Sequence, residues 1–309
     1  MTQKIIEGET MLLRIAKVSA LTAILATAIN AGDFSGQADK DLKALKNYME
    51  TKFKDPAKNR AFFPYTPESE LKNRYIKGIK GADFDKGSYA YDKGGRSQYN
   101  DINEMPPYED AIDEGQSLYE NSKTLQKCFP KTDISGEYPM FDEKKGEVVT
   151  LTGAINNCLV AAGEKKWNPK KGKMAQLEAF FAHKSKEAGK KIDIKIPSKA
   201  AAEAYERGKK EYYSQRGYLK LSCASCHVQG SGQRVRAEYL SPLYGHVTHF
   251  PVYRLKWGEL GTLERRLGGC EKNQGEKPHK PNSKWDNEIL YFMSYMSNGL
   301  PIDGPDVRK

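Results

Sequence analysis

The apolar positions of the chain gather into helical stripes separated by long polar stretches. Leu42, Leu45, Met49 and Phe53 recur at three- and four-residue intervals, which predicts one amphipathic helix early in the chain. Before it, a short basic stretch (residues 11–17) leads into a mainly apolar run (residues 18–29). That run is too short for a retained membrane span and ends in small residues, Ala26-Thr27-Ala28 and on to Ala31. This is the form of a cleaved secretory signal; an uncleaved anchor is the other reading. Residues 77–98 are rich in Gly, Lys and Tyr and have no period, so an irregular surface segment is expected there, closed by Pro106-Pro107.

Downstream, one order of elements occurs twice. Gly115-x-x-x-Tyr119 lies in a helical pattern 13 residues before Cys128, and Gly208-x-x-x-Tyr212 lies in another, 15 residues before Cys223. Leu151 precedes Cys158 by seven residues, and Leu263 precedes Cys270 by seven. Helical patterns at 176–181 and 287–292 close the two copies. Helix, cysteine, cysteine, helix, written twice, predicts an all-α chain of tandem domains joined by the lysine-rich stretch 184–199. The expected division is a signal peptide (1–31), an N-terminal extension (32–105), a first domain (106–192) and a second (193–309). A glycine inside a helix costs about 1 kcal/mol against alanine. Gly208 is therefore expected where its helix crosses the last one, against Tyr291-Phe292.

The net charge of +10 suits an acidic protein partner or an anionic substrate. No stripe of interleaved aromatic and basic residues accompanies it, so nucleic-acid binding is not expected. The five cysteines change the picture more. In Cys223-Ala224-Ser225-Cys226-His227, two thiols three positions apart can each add across a vinyl group of one haem, and the next residue offers the iron an imidazole. A zinc site would need a second Cys/His pair at ligand spacing, and Cys128, Cys158 and Cys270 stand alone. One covalently bound haem c is expected, on a cytochrome c plan of helix, motif, loop and helix. The first copy has no such motif: Cys128 is followed by Phe129-Pro130. If the copies share a fold, Cys128 lies near the attachment point of the missing haem and Cys158 opposite it. The two then either close a disulfide or remain buried thiols.

What faces His227 decides the chemistry. Between Val228 and Trp285 there is no methionine, and Met293 and Met296 sit in the closing helical pattern, where they read as core. His246, His249, His279 and Cys270 remain; each histidine is either a ligand or a polar loop residue. Leu260, Leu263 and Leu267 mark a helix carrying Arg265 and Arg266, and Gly268-Gly269 is expected to end it, leaving Cys270 on the following turn. Cys270 reads as an iron-bound thiolate, as half of an intermolecular disulfide, or as an inert buried thiol. Arg266, one helical turn earlier, is placed to hold a doubly charged oxyanion beside the sulfur.

These residues resemble the SoxA family, catalytic subunits of the SoxAX cytochromes of thiosulfate-oxidising systems and L-cysteine S-thiosulfotransferases. The resemblance runs from about Pro107 to the C-terminus. It is strongest in Phe250-Pro251-Val252-Tyr253-Arg254, in Leu263-Glu264-Arg265-Arg266-Leu267-Gly268-Gly269-Cys270, and in the haem motif. It implies tandem cytochrome c domains, the first without haem and closed by a Cys128–Cys158 disulfide. It further implies a haem attached through Cys223 and Cys226 and ligated by His227 and Cys270, the latter often a persulfide, with Arg266 beside it. By the same resemblance the substrates are thiosulfate and a cysteine of a SoxYZ-like carrier. The implied electron-accepting partner is a SoxX-like c-type cytochrome in a heterodimer, open to a further small subunit, and the location is the periplasm. Residues 271–277 lack the arginine that family members carry after this cysteine, so a second anion-binding group is left unassigned. A plain electron-transfer cytochrome without a catalytic thiol is the alternative, and a haem-bearing docking or sensor subunit a third.

Overall fold

The computed structural model describes residues 34–235 and 238–308; the expected signal peptide, residues 1–31, lies outside them. The first stripe forms α1 (Gly36–Lys54), with Leu45, Met49 and Phe53 buried. It is followed by α2 (Glu68–Asn73), a 3₁₀ segment (Gly81–Ala90) and α3 (Lys93–Ile102).

Residues 77–98 are not the surface segment that their missing period suggested. Phe84, Tyr89, Ala90 and Tyr91 are buried, and Tyr91 stacks on Phe53 with ring centroids 4.6 Å apart. Gly78, Gly81 and Gly87 hold φ at +72°, +53° and +57°, so the backbone changes direction every few residues. Aromatic rings can then point inward from a chain too irregular to show any period.

The first copy comprises α4 (Glu109–Glu120), α5 (Lys123–Cys128), the strands β1 (Met140–Asp142) and β2 (Glu147–Val149), α6 (Leu151–Ala161) and α7 (Lys173–Glu187). The second comprises α8 (Lys199–Tyr213), one π-helical turn over the haem motif (Ser225–Gln229), β3 (Arg234–Val235), β4 (Glu238–Tyr239), β5 (Val252–Arg254), β6 (Glu259–Gly261), α9 (Leu263–Asn273), α10 (Lys284–Tyr295) and β7 (Asp306–Arg308). The architecture is all-α apart from short hairpins, with β7 added parallel to β5.

The copies match in detail. A Cβ on Gly115 would fall 2.0 Å from the Gln176 carbonyl oxygen and 3.0 Å from Phe180 Cβ; on Gly208 it would fall 2.0 Å from the Glu288 oxygen and 3.1 Å from Phe292 Cβ. Tyr119 packs 5.6 Å from Phe180, and Tyr212 5.2 Å from Phe292. Each glycine thus lets a first helix touch the backbone of a last one. Each copy also has an antiparallel hairpin leading into an N-capped helix. Thr150 Oγ1 accepts from Gly153 N in α6, and Thr262 Oγ1 from Arg265 N in α9. Cys158 and Cys270 occupy the same position in these two helices.

One apolar core fills the first copy (Leu125, Phe129, Ile155, Phe181), while a larger one joins α1 and its following loops to α8 and α10 through Phe53, Phe84, Tyr91, Tyr212 and Phe292. Met293 and Met296 belong to that larger core. No helix among the described residues is long and apolar enough to cross a membrane.

Candidate haem and sulfur site

The π-helical turn after α8 presents Cys223, Cys226 and His227 from one short stretch of backbone, and α9 brings Cys270 up to them. His227 Nδ1–H donates to the Ser241 carbonyl at 2.8 Å. That bond fixes the ring and leaves Nε2 for an iron, the usual arrangement of a ligating imidazole. Cys270 Sγ lies within hydrogen-bond reach of the same ring. The described residues therefore gather three thiols and one imidazole at a single point.

The helix that carries Cys270 differs from the sequence expectation. Gly268-Gly269 does not end it; α9 runs on to Asn273, and Gly275, at φ +77°, turns the chain away. Cys270 therefore sits on a rigid helix, one turn after Arg266. Leu260 belongs to β6, so the helix starts at the Thr262 cap rather than before it. The two glycines leave the helix surface bare: a Cβ at Gly268 or Gly269 would meet no protein atom closer than 3.7 or 4.0 Å.

The adjacent arginines have separate tasks. Arg265 lies over the Trp257 ring at 4.2 Å and pairs with Glu259 at 3.1 Å. Arg266 turns its charge toward Cys270. Burial pushes the Cys270 thiol up, but the Arg266 guanidinium, the hydrogen bond and charge of His227, and the charge of Arg254 together outweigh it and bring the thiol down to about 7. Burial drives the other two thiols the opposite way, Cys223 to about 12. Of the three, Cys270 is the one whose thiolate form its surroundings favour.

Arg254, to which sequence reasoning gave no role, also acts on Cys270 through its charge. It was visible at the end of Phe250-Pro251-Val252-Tyr253-Arg254. Sixteen positions in sequence from Cys270, it comes near because the β5–β6 hairpin folds back beside α9. It is buried, with its guanidinium 5.5 Å from the Trp257 ring. Arg254 thus brings a second arginine's charge to bear on Cys270, where residues 271–277 contain no arginine.

The His246 ring meets the His227 ring edge-on at 4.4 Å, and His249 lies buried behind it, 6.2 Å from His246. His279 Nδ1 is 2.7 Å from Glu271 Oε1, and its ring stacks on Trp285 at 3.7 Å. In the first copy, Cys128 and Cys158 form a disulfide with Cα atoms 6.2 Å apart. It joins the positions equivalent to the haem motif and to Cys270, so a covalent bridge stands where the second copy has its site.

A haem c suits what the second copy offers. The donors that would hold it are two thiols at the attachment spacing, an oriented imidazole and the Cys270 sulfur beside that ring. Tyr212 Oη, buried and without a hydrogen-bond partner, faces Cys223, Cys226 and Cys270. An unpaired buried hydroxyl beside a bare helix surface marks space shaped for a group other than side chains.

The SoxA/TsdA cytochrome c domain model matches residues 114–189 and 207–302, the two copies in turn. The chain belongs to the SoxA/TsdA cytochrome c family. Relatives include the L-cysteine S-thiosulfotransferase subunit SoxA of Chlorobaculum tepidum, 41% identical over 94% of this chain and 94% of that protein. The same subunit of Chlorobaculum thiosulfatiphilum is 48% identical over 75% of this chain and 82% of that protein. The crystal structure of SoxXA from P. pantotrophus superposes with a TM-score of 0.62 at 26% identity, covering 69% of this chain and 84% of that one. Membership of a SoxA/TsdA cytochrome c family makes this a haem c protein.

Proposed function

We propose that the protein is an L-cysteine S-thiosulfotransferase that couples thiosulfate oxidatively to a cysteine of a carrier protein. The observation that carries this reading is Cys270, a helix thiol within hydrogen-bond reach of His227 whose thiolate form is favoured by the charges of Arg266 and Arg254. A plain electron carrier has no use for two arginines trained on its distal ligand. The names of the relatives and the SoxXA structure support the same assignment.

In the proposed reaction Arg266 and Arg254 bind the thiosulfate dianion and direct its outer sulfur at Cys270 Sγ. A sulfur–sulfur bond forms, giving a Cys270 S-thiosulfonate, and two electrons leave. The carrier thiolate then attacks the sulfur bonded to Cys270, and the Cys270 thiolate departs. The sum is a carrier thiol plus thiosulfate going to a carrier S-thiosulfonate, one proton and two electrons. One haem c, attached at Cys223 and Cys226 and ligated by His227 and Cys270, supplies a one-electron acceptor beside the sulfur. A SoxX-like cytochrome subunit receives the electrons, and a SoxYZ-like protein is the carrier. The division into signal peptide, N-terminal extension, haem-free domain and haem domain fits export to the periplasm, where haem c and the disulfide are both made.

Cys270→Ala in the haem-loaded protein is the test. Transfer of thiosulfate to a carrier thiol should be lost and the iron's ligand field should change, while the haem stays covalently attached. Full transferase activity with an unchanged spectrum would return the protein to the class of simple electron carriers.

A further inference from the structure

The N-terminal segment grips the backbone that follows His227. Lys52, in α1, is fully buried, and its ammonium donates to the Gln229 carbonyl at 2.7 Å and to the Val228 carbonyl at 3.4 Å. These carbonyls belong to the two residues that follow His227, at the C-terminal end of the π-helical turn. Around the ammonium stand the rings of Tyr48, Phe53, Phe62 and Phe63, with centroids 5.4 to 6.0 Å away. Burial lowers Lys52 to about 8, so the charge persists at neutrality. Neighbouring contacts repeat the arrangement. Tyr75 Oη donates to the Gly232 carbonyl, and Tyr91 Oη to the Leu240 carbonyl at 2.5 Å, next to the Ser241 that holds the His227 ring. Phe53 and Phe63 leave no room for a Cβ on Gly232, which they would approach to 2.8 and 2.9 Å.

A buried lysine set on carbonyls is costly to maintain. Desolvation disfavours its charge, and any fold that needed only an apolar contact here could use methionine. The charge gains from meeting the carbonyl end of a helical turn, where the backbone dipole is negative. It also places a fixed cation beside the segment that supplies the proximal ligand, in surroundings where water screens it little.

We propose that Lys52 is a positioning residue for the haem segment, holding the backbone behind His227 and favouring the reduced haem through its buried positive charge. The N-terminal segment is then part of the redox site and not an appendage. This rests on the haem attachment proposed above, and the two fail differently: a mature chain without haem refutes the attachment, whereas a loaded chain with an unmoved potential refutes Lys52.

The experiment is a spectroelectrochemical titration of the haem-loaded protein at one pH, comparing wild type with Lys52→Met, Lys52→Arg and the neutral control Tyr75→Phe. Lys52→Met should move the midpoint potential downward while the covalent haem and its ligand spectrum remain. Lys52→Arg should stay near wild type, and so should Tyr75→Phe, which loses a contact to the same segment without losing charge. Should Lys52→Met not accumulate, Lys52→Gln, which keeps a donor for the Gln229 carbonyl, carries the same measurement. A neutral variant that melts earlier yet titrates at the wild-type potential would reduce Lys52 to a structural contact and overturn the proposal.

Discussion

Arg254 and Arg266 converge on Cys270 from different elements, and removing them one at a time tests whether they hold the substrate. Arg266→Ala takes away one charge-assisted contact to the dianion, worth about 1.5–3 kcal/mol, or about one to two decades in kcat/KM for thiosulfate. Arg254→Ala should cost at least as much, because that side chain is buried and its charge is less screened. Its loss also removes the contact with the Trp257 ring, so a fall in stability of about 1 kcal/mol is expected as well. Arg254→Lys separates the two effects by keeping the charge. Both cations act on one anion, so the double variant should lose less than the product of the single losses. The assay is steady-state transfer of thiosulfate to a carrier thiol by haem-loaded enzyme, with the ligand spectrum recorded alongside. Unchanged kcat/KM in Arg266→Ala, or strict independence of the two losses, would refute a shared anion site.

The Cys128–Cys158 disulfide closes a sequence separation of 30 residues, and its replacement by two alanines should cost about 3–4 kcal/mol in denaturant unfolding of the first domain. The haem spectrum of the second domain should not move in that variant. Asp286 gives a pH prediction. Burial, aided by the charges of Glu264 and Glu271, raises it to about 8. The folded chain keeps a proton that the unfolded chain gives up from about pH 4, so stability falls with rising pH between about 4 and 8, by up to about 1.4 kcal/mol per unit. Asp286→Asn should therefore melt higher than wild type at pH 8 and show no such gain at pH 4. An equal shift at both values would exclude the buried proton.

By itself the sequence determined the parts whose physics is local or repeated. Cys223-Ala224-Ser225-Cys226-His227 is a single short reach of backbone, so its donors must lie together in any fold. The glycine contact of Gly208 was legible because a glycine inside a helix is costly without a packing role, and the repeated Gly-x-x-x-Tyr pattern carries its counterpart at Gly115, whose contact the structure adds. The pairing of Cys128 with Cys158 followed from the same duplication and from the resemblance, and the structure contains it. Only tertiary structure decided the rest. The course of α9 through Gly268-Gly269 depends on an uncrowded helix surface and on the turn at Gly275, and neither can be read from the two glycines alone. The aromatic residues between 77 and 98 carry no period because their backbone is bent by positive-φ glycines, so their burial appears only once α1 and the haem domain close around them. Arg254 and Lys52 come to the site across 16 and about 175 residues of chain respectively, through a hairpin and a shared core. A charge acts through space, and sequence distance says nothing about which charges a fold will bring to a sulfur or a haem.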